Sequence, residues 1–385
     1  MYCIAGQEDY DELIDFANYV FSQAHGPTDF PSLLPKLYKP EYFMDATHYI
    51  AREDGRIKAA VGAYPLVLDF PEGSAPGRGI GMVSVHPYCR SRNHMKTLMN
   101  LALADMRRDR VAFSCLGGQR QRYEYFGFTP AGSGYTFTCG EANIRHSLGH
   151  RKEDWGGDFS LQRLDSGDEV LLDKIQALHE AKSIRIRRSR ERLFDILSSW
   201  KAQVLGVLRG GEFQGYMVAC RGNISEINLR DYSRLPDVIG LFLRDRHETE
   251  AQVSVASHET EKIAGLSCFA ETYRISPAYH FAVFDYPTFL TPFLRLKSQM
   301  RTLQDGSFSF QIEGGPLLEL SVQNGRAFAE EKIERKNVSR VMSANEALQF
   351  LCSFSGESVF PEIRENLFLR SLLPLPLFFE SPDHI

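Results

Sequence analysis

No two of the seven cysteines stand in a C-x-x-C spacing. An odd, scattered set at 3, 89, 115, 139, 220, 268 and 352 argues against a disulfide framework and against a cysteine zinc site, and fits reduced thiols in a cytoplasm. Excess positive charge is lacking too. Lys and Arg number 44 against 49 Asp and Glu, a formal net charge of −5, which argues against a general nucleic-acid binder. The opening run MYCIAGQEDYDELIDF carries acids where a secretory signal needs basic residues. No apolar run reaches the roughly 18 residues of a membrane span, so no membrane association is expected. What remains is ordinary globular composition, 43% hydrophobic and 24% charged, in a 385-residue chain long enough for two or three domains.

The chain is organised around the stretch Gly79 to Gly132. Ile80 to Val85 reads as a buried strand, ended by Pro87. The turn Tyr88-Cys89-Arg90-Ser91-Arg92-Asn93 supplies two arginines and the helix-start residues Ser91 and Asn93. A helix is expected from about His94 to Arg107, with Met95, Leu98, Met99, Leu101, Leu103 and Met106 mostly at helical spacing. A second strand, Val111 to Leu116, ends in Gly117-Gly118. A helix start with free N–H groups and arginines, just beyond a strand end, suits a phosphate or pyrophosphate. An ordinary βαβ unit with a solvated basic turn fits the same spacing.

Around this core, residues 9–24 read as an amphipathic helix, and Phe30 to Tyr42 as a loop with short helix, packed inward or lining a pocket. His48 to Arg52 and Arg56 to Leu68 read as a hairpin through Asp54-Gly55. Gly134 to Cys139 reads as one more strand of the first unit, and Leu148 to Gly157 as a boundary. The arginine run IRIRRSRERLF at 184–194 could bind RNA, but its interruption by Ile184, Ile186 and Leu193 favours the basic face of a helix. A second α/β piece follows, with strands near 202–208, 215–220, 251–257 and 281–284 and a helix at 235–246. After Tyr286 come a helix, strands at 306–313, 317–323 and 325–335, and a helix at 343–352. The end, LFLRSLLPLPLFFESPDHI, is apolar enough to imply docking into the protein.

VSVHPYCRSRNHMKTLM resembles the acetyl-CoA motif of the GCN5-related N-acetyltransferases (GNAT). The segments RYEYFGF and LLPKLY, and the apolar tail, narrow the resemblance to the Eis-like branch of that superfamily. It implies an α+β chain of three parts. These are a GNAT acetyltransferase domain at 1–150, a second GNAT-like fold without cofactor at 151–285, and a domain resembling sterol carrier proteins at 286–385 whose tail enters the active site. It further implies that Val83, Ser84 and Val85 present strand backbone to acetyl-CoA, that Ser91, Arg92, Asn93, His94, Met95 and Lys96 hold its pyrophosphate, and that Gly118 and Gln119 flank the pantetheine. Tyr123 falls at the family's general acid, and the terminal carboxylate of Ile385 at its general base; no metal is implied. Asn93 stands where the family usually has Gly, and Asn tolerates the left-handed conformation better than most residues.

The implied reaction transfers acetyl to a primary amine by direct attack. The amine must lose a proton, since free alkylamines titrate near about 10.4. A tyrosine near about 10 can protonate the leaving thiolate while staying neutral at pH 7. A carboxylate becomes a better base when an apolar tail buries it; His384 is a rival base. The expected acceptor is a small-molecule or peptide amine, aminoglycoside-like, polyamine or lysine, with Asp29, Glu41 and Asp383 as candidate acids facing a polycation. A homo-oligomer, a hexamer in many relatives, is implied as well. The alternative is a non-catalytic protein binding an apolar or acyl ligand, with a degenerate CoA site.

Overall fold

The computed structural model describes residues 1–333 and 338–385. In chain order its strands open with β1 (Tyr2–Ile4), β2 (Thr47–Glu53), β3 (Arg56–Phe70), β4 (Gly73–Val85), β5 (Phe113–Leu116) and β6 (Thr129–Ala131). There follow β7 (Gly134–Gly140), β8 (Phe159–Arg163), β9 (Arg185–Ile186), β10 (Gln203–Arg209), β11 (Glu212–Cys220), β12 (Asn223–Leu229) and β13 (Glu250–Ala256). The last are β14 (Thr272–Ser276), β15 (Tyr279–Val283), β16 (Gly306–Ile312), β17 (Leu317–Gln323), β18 (Arg326–Lys332) and β19 (Arg340–Met342). The first sheet runs β1-β2-β3-β4-β5-β15-β6, with β9 added on β3. The second runs β14-β7-β13-β12-β11-β10-β8, and the third β18-β17-β16-β19. The chain is thus of mixed α+β class.

Local chemistry explains most of these elements. Asp54 and Gly55 both take positive φ, 52° and 74°, as a two-residue hairpin between β2 and β3 requires. The helix His94–Arg108 buries Leu98, Met99, Ala102, Leu103 and Met106, spaced three and four apart, on the first sheet. Leu101, counted with that stripe in the sequence, is exposed. The tail docks by burying Leu372, Leu373, Leu375, Leu377 and Phe379. Ser133 N–H donates to Leu377 O at 3.1 Å. Next to it Gly132 sits at φ 75°, where any Cβ would strike that carbonyl.

Four sequence expectations differ from the structure. The strand Gly134–Gly140 pairs with β13 and β14 in the second sheet, not the first. In exchange β15, read as part of the second piece, pairs with β5 and β6 in the first. Period-2 patterns reveal which face of a strand is buried but not which sheet receives it. The run 184–194 is no single helix: Arg185–Ile186 pairs with Leu68 and Asp69 of β3, and only Leu193–Ser198 is helical. Its arginines meet separate acids, Arg187 with Asp69, Arg190 with Asp173 and Arg192 with Asp45. The boundary stretch 148–157 places Trp155 fully inside the second core. Of the strand expected over 325–335, Arg326–Lys332 is observed, and residues 334–335 lie outside the described residues.

Phe379 packs edge-on to Phe281 of β15 at 5.5 Å and is 2% exposed. Phe379→Ala should cost about 3–5 kcal/mol through the cavity it leaves, seen as a lower denaturation midpoint.

Candidate active site

β4 makes the site. Its antiparallel pairing with β3 shifts register between Gly62↔Gly81 and Ala60↔Ser84, so Met82 and Val83 stand opposite Val61 alone. This is a β-bulge, which takes backbone polar groups out of the ladder. Met82 lies at φ 53°, consistent with the local kink. On its other edge β4 pairs in parallel with β5 only through Gly77–Ile80. β5 then stops at Leu116, while β4 continues to Val85, and a wedge opens between them.

The wedge widens into a cavity of about 660 Å³. Val83, Ser84, Val85, Ser91, Asn93, His94, Met95, Lys96 and Tyr123 line it, among the residues singled out from the sequence. The buried Ser84 Oγ has no hydrogen-bond partner among the described residues. Asn93 is the helix N-cap at φ 61°, ψ 12°, left-handed, and its side chain does not cap the helix. The first-turn N–H groups of the 15-residue helix His94–Arg108 have no carbonyl four residues back to bond. Unpartnered N–H groups, a partnerless hydroxyl and a bulged strand fit an elongated ligand with an anionic group at the helix end.

Three of the residues singled out for acetyl-CoA do not line this cavity. Arg92 turns away and pairs with Glu53 at 2.6 Å. Gly118 lies against the Tyr123 ring, which a Cβ would overlap, and Gln119 N-caps the short helix Arg120–Tyr123. Glu53 is the last residue of β2. It also meets His94 Nε2 at 3.1 Å, while the Tyr2 hydroxyl meets His94 Nδ1 at 3.1 Å, so the turn is braced from β2 and β1.

Ile385 lies on the far side of β4. Its side chain covers Gly79 and Gly81, where a Cβ on either glycine would collide with it. It lines a second cavity of about 570 Å³, with Lys36, Glu41, Tyr42, Asp45, Arg187, Arg192 and Asp383 on the walls. The Phe30–Tyr42 segment therefore does both things considered for it. Phe30, Leu34 and Tyr38 enter the core, while Lys36, Glu41 and Tyr42 face the cavity. Asp29 is elsewhere, accepting a hydrogen bond from Ser32 Oγ at 2.5 Å.

Two residues missed in the sequence complete the arrangement. Tyr279 of β15 donates its hydroxyl to the Ile385 main-chain oxygen at 2.9 Å and packs against Gly117. Burial pushes its phenol well up, with Cys115 and Tyr123 nearby adding to the effect. Lys36 donates to Pro382 O and, at 2.5 Å, to His384 O, and burial lowers its pKa to about 7. No local signal marks either, because their partners lie 106 and 348 residues away. The Tyr123 hydroxyl makes no hydrogen bond among the described residues, and burial raises its phenol, with Arg122 opposing. His384 stacks on Tyr279 at 4.2 Å, places Nε2 3.3 Å from Phe379 O, and is held down to about 4, mainly by burial.

Residues 3–131 match the family model described as acetyltransferase (GNAT) domain. The chain carries a GNAT acetyltransferase domain, and the protein is an acetyltransferase. Solved structures share the fold over the full length. A probable N-acyltransferase from Enterococcus faecalis V583 has 18% identity and a TM-score of 0.70, covering 100% of this chain and 99% of that one. A GCN5-related N-acetyltransferase from Anabaena variabilis has 13% identity and a TM-score of 0.66, covering 100% of both. Eis1 from Mycobacterium abscessus has 11% identity and a TM-score of 0.61, covering 100% and 99%. No curated protein sequence matches the chain. No helix among the described residues is long and apolar enough to cross a membrane.

Asn93→Val forces a β-branched residue into the left-handed region and should cost about 1–2 kcal/mol, whereas Asn93→Gly should stay within about 0.5 kcal/mol of the parent. Denaturation midpoints of the two variants check this.

Proposed function

We propose that the protein transfers acetyl from acetyl-CoA to a primary amine, with Tyr123 as general acid and the α-carboxylate of Ile385 as general base. One observation carries the reading: Ile385 rests on Gly79 and Gly81 of the strand whose next residues, Val83–Val85, line the helix-start cavity. The cavities on the two sides of β4 then take the two substrates, acetyl-CoA on the helix side and the amine beside Ile385.

Each group has a physical part. The helix N-terminus and the turn 91–96 attract the pyrophosphate. The bulged backbone at Val83–Val85 supplies an N–H toward charge developing on the acetyl oxygen. Tyr123, unpaired and raised by burial, keeps its proton at neutral pH and gives it to the departing thiolate. The Tyr279 hydroxyl donates to the Ile385 main-chain oxygen and fixes its direction. His384 is the weaker candidate. Stacked on Tyr279 with Nε2 against a carbonyl, it has its proton affinity held down to about 4, mainly by burial.

The amine-side cavity is not a bare acidic bowl. Its Asp383 and Asp45 are already paired with Arg188 and Arg192, and Arg187 and Lys36 stand in its wall. That balance favours an acceptor with one amine, such as a lysine side chain or a small monoamine, over a polycation. Among the described residues the apolar face of the third sheet is packed, which weighs against the carrier alternative. Phe308, Phe310, Phe350 and Phe360 fill that face.

Free-thiol release from acetyl-CoA across a panel of amines tests the reading, and absence of acetyl-CoA binding in calorimetry would hand the protein to the alternative. Tyr123→Phe should stay folded, bind acetyl-CoA and lose about 10²–10⁴-fold in kcat. In the parent, the alkaline limb of kcat should fall above about 10, the ordinary tyrosine value, since loss of the acid's proton is displaced upward. Removing Ile385 should lower kcat by a similar factor of about 10²–10⁴ with acetyl-CoA binding kept.

A further inference from the structure

The arginine run still lacks a role, and its one fully buried member supplies one. The Arg188 side chain is 0% exposed and reaches two carboxylates at once. Nε and Nη2 donate to Asp383 Oδ1 and Oδ2 at 2.8 and 2.7 Å. Nη1 and Nη2 donate to Glu226 Oε1 and Oε2 at 3.2 and 2.8 Å. Lys182 joins Glu226 at 2.8 Å to Glu380 at 2.5 Å. Glu226 is held on β12 by the Tyr216 hydroxyl at 2.5 Å and by Asn228 Nδ2 at 3.1 Å. Both acids of the tail's last residues, Glu380 and Asp383, are therefore tied to the second sheet.

We infer that the second unit positions the end of the chain: Arg188, anchored on Glu226, grips Asp383 and sets the register at which Ile385 meets β4. The inference rests on the reading of Ile385 as base. Two features set it apart from mere stabilisation. Buried ion pairs contribute little net stability over apolar packing, so adhesion alone would be served by more leucines. A bidentate fork instead fixes direction and register. Ser381–Asp383 form a 3-10 turn, in which one residue of slip displaces the terminus by about 2 Å, and a misplacement of about 1 Å can already cost about 100-fold in rate. Lys36 completes the grip from the first unit by holding the carbonyls of Pro382 and His384, on either side of Asp383. The second fold thus becomes a jig for an active site that it does not itself contain.

Asp383→Asn tests this with little risk to folding, because it leaves two buried acids, Glu226 and Glu380, facing Lys182 and Arg188. Arg188→Lys, which keeps the charge and loses the fork, is the companion. Three measurements are made on the full-length protein: acetyl-CoA binding by calorimetry, release of Ile385 and His384 by carboxypeptidase Y, and kcat with the best amine of the panel. For both variants we expect native acetyl-CoA binding, tail release faster by about tenfold or more through local opening, and a kcat lower by about 100-fold. Should Arg188→Lys fail to fold, Asp383→Asn alone decides. Native kcat and native resistance to carboxypeptidase in Asp383→Asn would overturn the inference. The chain lacking Ile385, with the Arg188–Asp383 pair intact, separates the two levels. Unchanged turnover there removes the base reading, whereas lost turnover there with native turnover in Asp383→Asn removes only the positioning role.

Discussion

A carboxylate can lie under the second unit only if a cation meets it there. Asp383 is nearly sealed from water, and burial pushes its proton affinity up even with Arg188 beside it. Without that guanidinium the acid would be protonated or expelled, and the last residues with it. The Arg188 fork therefore sits beneath everything else in the tail: the placing of Ile385 on Gly79 and Gly81, the Tyr279 hydrogen bond, and the closure of the second cavity. Glu226 plays the complementary part, held well below its usual range by Arg188 and Lys182 in spite of complete burial.

Three sheets are laced together by exchanged pieces rather than set side by side. β15 leaves the second unit to pair between β5 and β6, and delivers Tyr279 to the strand end that carries Gly117-Gly118. β9 leaves it to pair with β3, and delivers Arg187 and Arg192 to the wall of the second cavity and Arg188 to Asp383. The tail crosses from the third unit past Ser133 to the first. Each crossing ends in a residue of the candidate site, so the site is a property of the whole chain although one stretch holds the helix-start half.

On the helix side the demands are local. A bulge in β4, a strand that stops early and a helix whose first turn is uncapped make a wedge with donors at its end. Asn93 serves because its short polar side chain tolerates positive φ, which is why the turn survives without the glycine usual there. Glu53 braces the turn by taking Arg92 and His94, leaving the helix N–H groups rather than the guanidinium of Arg92 toward the cavity.

The sequence by itself determined the elements whose causes lie within a few residues. The Asp54-Gly55 hairpin, the amphipathic helix from His94, the helix-start turn and the apolar character of the tail are all written in spacing and turn chemistry. Tertiary structure alone decided which sheet received β7 and β15, that Glu53, Tyr279 and Lys36 belong to the site, and that Arg188 is buried rather than solvated. The physical reason is the same throughout. Periodicity encodes which face of an element is apolar, whereas sheet membership and ion pairing depend on partners up to hundreds of residues distant, and an arginine bound for a buried carboxylate carries the same letter as one bound for water.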